Sequence, residues 1–178
     1  MEIIMKQVNE KLVLMLMGRK IEKQQYLEEE GISIDRISEE LYEMLAYMIE
    51  TKNGDQLELS LYVLFMFEAW NESFVELLNQ LLDCDWHTRH EDVAMLLQKL
   101  KHPSSIDVLY KTVPKVFPYL EYDEAFALAV KCIWALGDIG TEAALKRLNS
   151  LLSSENEIIV SNAKHQISRI ESRNREIK

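Results

Sequence analysis

The sequence predicts an all-α protein, a solenoid of about four antiparallel helix pairs with an N-terminal capping helix, and three observations lead there. Apolar residues recur at helical spacing along most of the 178 residues. Five glycines and three prolines are too few for a chain built on many tight turns. The apolar pattern also repeats at a nearly fixed offset, which is the signature of stacked units. Val93, Leu97 and Leu100 stand in register with Ala129, Ile133 and Leu136, and Leu59, Val63 and Met66 precede them as Ala163, Ile167 and Ile170 follow them. The helices before these align too: Leu41, Val75, Leu109 and Leu145 form one row, and Met48, Leu82, Val116 and Leu152 form another. A third row of Met44, Leu78 and Leu148 is interrupted by Thr112. The reading divides the chain into a capping helix and polar linker (1–34), four repeats (35–172) and a polar tail (173–178).

In chain order, Ile4, Val8, Leu12, Met15 and Leu16 mark the amphipathic capping helix, which covers the open end of the stack. Glu2 and Glu10 oppose a secretory signal, and the most apolar run, 57–67, is too short for a membrane span. Residues 20–31, with EKQQYLEEEG, read as a solvated helix or linker. The first pair is predicted over 37–50 and 55–70, with Asn53-Gly54 as the turn. Asn71 or Ser73 caps a helix over 74–82, and the segment 83–92 leads into a helix ending at Leu100. Pro103 suits a first helical position, and Pro114 predicts a kink in a helix over 105–117. Asp123 is expected to open the next helix, and Ser154 or Asn156 to cap the last.

The string KCIWALGDIGTEAALKRL, 131–148, predicts a helix broken by Gly137 and Gly140 and an antiparallel return. ALGDIG followed by an alanine-rich helix resembles the junction inside HEAT repeats, especially the short kind of phycobilisome-lyase-like bacterial proteins. Tetratricopeptide repeats share the period, but their W-x2-L-G would need one more residue between Trp134 and Gly137. Ile159-Val160 replaces the Val-Arg usual in the phycobilisome-lyase-like pattern, so that group's chemistry is not carried over. WHTRHEDVAMLLQ, YLEYDE and KCIWALG also resemble small stand-alone bacterial HEAT proteins, which include immunity partners of secreted toxins.

Thirty acidic against twenty basic residues give a net charge of −10, which opposes nucleic acid and anionic membranes and favours a basic protein partner. Two cysteines without a disulfide framework point to a reduced, cytoplasmic setting. Among candidate chemistries, Cys84, His87, His90 and Glu91 have a spacing that could approach a zinc ion, but it matches no zinc motif. The competing reading places Asp85 as a helix cap, Glu91 and Asp92 in the first turn, and His87 and His90 at the turn surface. No nucleophile motif, phosphate loop or dinucleotide fingerprint occurs, so no enzyme, cofactor or metal is expected.

What remains is an acidic edge at the starts of the second helices. Asp85, Trp86, His87, His90, Glu91, Asp92, Glu121, Tyr122, Asp123 and Glu124 are the candidate partner-binding residues, with helix capping as the plainer account of their charge. The expected function is non-enzymatic protein binding, of the kind by which an immunity protein or antitoxin blocks a basic toxin. An assembly scaffold and a HEAT-fold enzyme of the DNA glycosylase type are the alternatives. Lys131, register-equivalent to Met95 and so one turn beyond Glu91, is expected to reach Glu91 or another carboxylate of the preceding repeat.

Overall fold

The helical periodicity is realised throughout: the computed structural model describes residues 7–176, and among them ten α-helices are joined by turns and five single-turn 3-10 segments, with no strand. Two compact units, Met1–Leu77 and Leu78–Lys178, divide the chain within one helix, Val75–Asp83.

The first unit holds α1 (Glu10–Met17), α2 (Lys23–Glu30), α3 (Ile37–Thr51) and α4 (Gly54–Phe67). Of the expected capping helix, Ile4 lies outside the described residues; the helix begins at Glu10, where Asn9 Oδ1 accepts a hydrogen bond from the Leu12 amide at 3.3 Å. α1 buries Val13 and Leu16 and packs against α2 and α4. The segment expected to be solvated instead buries Tyr26 and Leu27 on α2, with Tyr26 tilted against Phe67 at 5.8 Å. One aromatic and one leucine a residue apart are too short a signal to show as periodicity. α3 lays Leu41, Met44, Leu45 and Met48 into the core against α4. Asn53 caps α4 by accepting from the Gln56 amide at 3.2 Å. α4 ends at Phe67, short of Trp70, where Glu68 takes the left-handed conformation (φ 50°).

The second unit follows from α5 (Val75–Asp83) through α6 (His90–Leu100), α7 (Ile106–Thr112), α8 (Ala127–Ile139), α9 (Glu142–Ser150) and α10 (Glu157–Glu176). α8 is its centre, touching α6, α7, α9 and α10, and Ala129, Cys132, Ile133 and Leu136 are buried along it. The predicted rows hold at Val93, Leu97, Ala163 and Ile170, but Ile167 is only half-buried and its neighbour Gln166 lies wholly inside. Gln166 fits because it faces Gly137, which has no side chain. Gly137 therefore does not break α8, as the sequence suggested; the helix runs on to Gly140, whose φ of 62° ends it.

Two other expectations fail for one reason. Val116 is 71% exposed and Leu152 is 36% exposed, whereas their row-mates Met48 and Leu82 are fully buried. The helix predicted over 105–117 is not kinked at Pro114 but ends at Thr112, because Pro114 has no amide to offer the Tyr110 carbonyl. Leu152 likewise lies in the 3-10 turn Leu151–Ser153. Helical spacing cannot carry a row past the point where the helix stops. Thr112, which interrupts the third row by polarity, is buried with the rest of that row at 1% exposure. Pro103 takes the first position of the turn Pro103–Ser105, as expected, and the predicted cap Asn156 accepts from the Ile158 amide at 2.9 Å. The supposed tail is helical to Glu176, and residues 177–178 lie outside the described part.

Candidate functional site

The loop between α5 and α6 carries the predicted cluster, and its two histidines face inward. His87 is 4% and His90 0% exposed, so neither sits at the turn surface. His87 Nδ1 accepts from the Arg89 amide at 3.0 Å, which leaves Nε2–H to donate to the Leu81 carbonyl at 2.9 Å. His90 Nε2–H donates to the Cys84 carbonyl at 2.7 Å, and its Nδ1 accepts from the Tyr119 hydroxyl at 2.8 Å. The rings form a stack: His87 on His90 at 4.2 Å, His90 on Phe117 at 3.7 Å, with Trp86 edge-on to His87 at 5.0 Å. Every imidazole nitrogen here is engaged by the protein itself, and no group of metal-ligating side chains able to hold an ion occurs among the described residues.

The stack ties the α5–α6 loop to the α7–α8 connection, 113–126. Lys115 adds a second tie through its ion pair with Asp83, which holds the Asp83 carboxyl below its ordinary range. Burial pushes the pKa of His90 down to about 4, lowers that of His87, and raises the Tyr119 hydroxyl to about 12. Both imidazoles are therefore neutral at pH 7.

That has a stability consequence with a definite sign. For a base whose folded pKa lies below its unfolded value, the unfolded chain takes up more protons between the two. Stability is then complete above about pH 6.5 and is lost as pH falls towards 4. At pH 5, His90 alone should remove about 2 kcal/mol, with His87 acting in the same direction. Urea unfolding of the wild type between pH 7.5 and 5 should show this slope, and His90→Gln should flatten it. An unchanged slope would place its origin elsewhere.

The acidic residues divide into two kinds. Asp123 does not open the next helix, which starts at Ala127 after Phe126, but it holds the approach to it: its Oδ2 accepts from the Ala127 amide at 2.6 Å and its Oδ1 from Ala125 at 3.1 Å. Glu91 forms the expected ion pair with Lys131 at 3.0 Å, and Asp92 lies 3.9 Å from Arg89. Asp85 is exposed on the loop and is not a cap; α6 starts after Arg89 without a side-chain cap. Asp85, Glu121 and Glu124 are exposed, and Tyr122 beside them is 90% exposed. Of the ten predicted residues, His87 and His90 thus hold the loops, Glu91 and Asp123 serve the fold, and Asp85, Glu121, Tyr122 and Glu124 are presented to solvent.

Sequence reasoning missed Val116, Tyr119 and Phe126, which are exposed by 71%, 38% and 37% on the same connection. Phe126 precedes α8 with φ 52°, while among the described residues the other non-glycine residues with positive φ stand at or just after helix C-terminal ends. The paired prolines 114 and 118 were the available signal, since they forbid a helix through this stretch and free its apolar residues to face outward. The excess charge also lies elsewhere: residues 1–77 contain sixteen acidic and seven basic side chains, residues 78–178 fourteen and thirteen. The carboxylates expected to form an edge therefore belong to a nearly neutral unit.

In comparisons with protein-family models, curated proteins and solved structures, nothing matches this chain.

Proposed function

We propose that the protein is a HEAT-like α-solenoid that acts as a non-enzymatic protein-binding module, taking a basic partner on the edge formed by the α7–α8 connection and the α5–α6 loop. Immunity proteins and antitoxins that cover basic toxins use binding of this kind. The architectural part is supported by adjacency within the second unit. Second helices α6, α8 and α10 neighbour one another in sequence, and first helices α7 and α9 do the same, as stacked pairs require.

The observation that carries the functional part is the composition of the 113–126 connection. Val116, Tyr119, Tyr122 and Phe126 are exposed among Glu121 and Glu124, on a loop held by the His90–Tyr119 hydrogen bond and the Lys115–Asp83 ion pair. Aromatic anchors on a pinned loop lose little entropy on binding, and flanking carboxylates steer a cationic partner. The titratable groups nearby favour binding over catalysis: the imidazoles are fully engaged, and burial pushes the Cys132 thiol up to about 12.

The test compares captures from the source cell by the wild type and by a variant carrying Asp85→Asn, Glu121→Gln, Tyr122→Ala and Glu124→Gln. These positions avoid the hydrogen bonds of Asp123 to Ala125 and Ala127 and the Glu91–Lys131 pair, so the melting temperature should stay unchanged. Basic proteins retained by the wild type should be lost by the variant. Wild-type complexes should weaken with salt, because steering is screened over about 10 Å at 0.1 M. Identical captures by the two baits would sink the reading.

A further inference from the structure

We propose that the His87–His90 pair is an acid-operated latch: protons on the two rings release the α7–α8 connection from the α5–α6 loop while the helices stay formed. The hydrogen bonds decide where a proton can go. His87 has no free nitrogen, because Nδ1 accepts from the Arg89 amide and Nε2–H donates to the Leu81 carbonyl. A proton on Nδ1 would set N–H against N–H, so His87 gains one only by giving up the Arg89 bond, and Arg89 is the residue after which α6 starts. His90 differs, since its Nδ1 faces the Tyr119 hydroxyl, which can turn and accept. A charged His90 would nevertheless be wholly buried, and charging both rings would set like charges in a stack whose centroids are 4.2 Å apart.

The charged groups around the pair do not relieve it. On the α5–α6 loop Asp85 favours a charged His90, and from the α7–α8 connection Lys115 opposes it. Glu91 and Asp92 of α6 are engaged by Lys131 of α8 and by Arg89, and Asp83 at the end of α5 by Lys115. The Cys132 thiol of α8 is kept neutral by burial. No carboxylate bonds either ring, since all four nitrogens are already taken. The same contacts limit what is released. Lys115 holds the Asp83 carboxyl below its ordinary range, so their ion pair survives at pH 5, and Asp123 keeps the Ala125 and Ala127 amides at the other end. The segment set free is 116–122, which carries the buried Phe117 and Tyr119. Released rings titrate near 6.5, so with His90 at about 4 in the closed form, passing from pH 7.5 to 5 favours release about thirty-fold, and His87 adds to it. A partner bound at pH 7.5 is then let go at pH 5, a consequence that rests on the reading of this edge as a docking surface; the release itself does not.

The experiment follows amide and imidazole NMR signals of the full chain, without a partner, from about pH 7.5 to 4.5. Both rings should titrate with one midpoint, between about pH 4 and 6.5. The amides of Arg89, Leu120 and Asp123 should leave their native positions at that midpoint, while those of Ile133 and Leu136 in α8 stay native. His87→Asn, whose Oδ1 can accept from the Arg89 amide but takes no proton, leaves one ring to drive the release and should lower the midpoint by about one pH unit. Tyr119→Phe, at an exposed position, removes the partner of His90 Nδ1 and should raise the midpoint by about half a unit. Rings that titrate while the loop amides stay in place, loop and α8 amides lost together at one midpoint, or variants that titrate like the wild type would each overturn the proposal. Because no partner is present, a failed latch leaves capture at pH 7.5 as it stands, and a failed capture leaves the latch.

Discussion

Ile133→Asp is expected to unfold the unit Leu78–Lys178. Ile133 has no exposed surface and lies on α8, the helix that touches α6, α7, α9 and α10. An aspartate there would be charged and without a partner, or protonated with an unpaired hydroxyl and a lost aliphatic side chain. Either outcome removes more than about 4 kcal/mol, a large share of the stability of a domain this size. Circular dichroism at 25 °C should show loss of helix in this unit. Ile133→Val, which removes one methylene, should cost only about 1 kcal/mol. Ile167→Asp sharpens the test, because the sequence rows treat Ile133 and Ile167 as equivalents while the structure leaves Ile167 half-buried. The expected order is therefore Ile133→Asp far worse than Ile167→Asp. An Ile133→Asp protein that melts like the wild type would remove α8 from the core.

The contrast between those two isoleucines shows what periodicity can and cannot carry. Apolar spacing reports which side of a helix faces inward, and it placed Leu41, Val63, Leu97, Ile133 and Ala163 correctly because those residues sit well inside their helices. It says nothing about where a helix stops, so Val116 was assigned to a row that Pro114 had already ended. Nor does it report polar residues held inside by local partners. His87 and His90 looked like surface residues because their type usually is; their burial depends on the Leu81 and Cys84 carbonyls and on Tyr119, 29 residues beyond His90. The Glu91–Lys131 pair is legible, since the offset of the apolar pattern sets Lys131 level with Met95, one turn beyond Glu91. The exposed aromatics of the α7–α8 connection were not, because their significance depends on what the loop is tied to.

Gly137→Ala should destabilise the protein, although helix propensity alone says the reverse. Alanine is favoured over glycine in a helix interior by about 1 kcal/mol, and Gly137 lies inside α8. An added Cβ, however, would stand 2.1 Å from Gln166 Oε1, 2.7 Å from its Cδ and 2.9 Å from its Cβ. A rotamer change could move the first two atoms but not the third, so α8 and α10 would have to separate. Gln166 is also poorly placed to move. Its Oε1 accepts from Arg169, whose Nη2 donates to Asp138 Oδ1 at 2.8 Å, and Asp138 Oδ2 accepts from Gln98 Nε2 at 2.7 Å. Displacing Gln166 therefore disturbs a chain of contacts running from α10 through α8 to α6. We expect a net loss of about 3 kcal/mol, the propensity gain being outweighed by overpacking and by the disturbed hydrogen bonds. Gln166→Ala removes the two closest atoms while keeping the 2.9 Å contact, so the double variant should regain part of the loss. Urea unfolding of the four proteins gives the coupling, expected at 1 kcal/mol or more in favour of the pair. Additive effects, or a Gly137→Ala protein as stable as the wild type, would mean that α8 and α10 do not meet at this glycine.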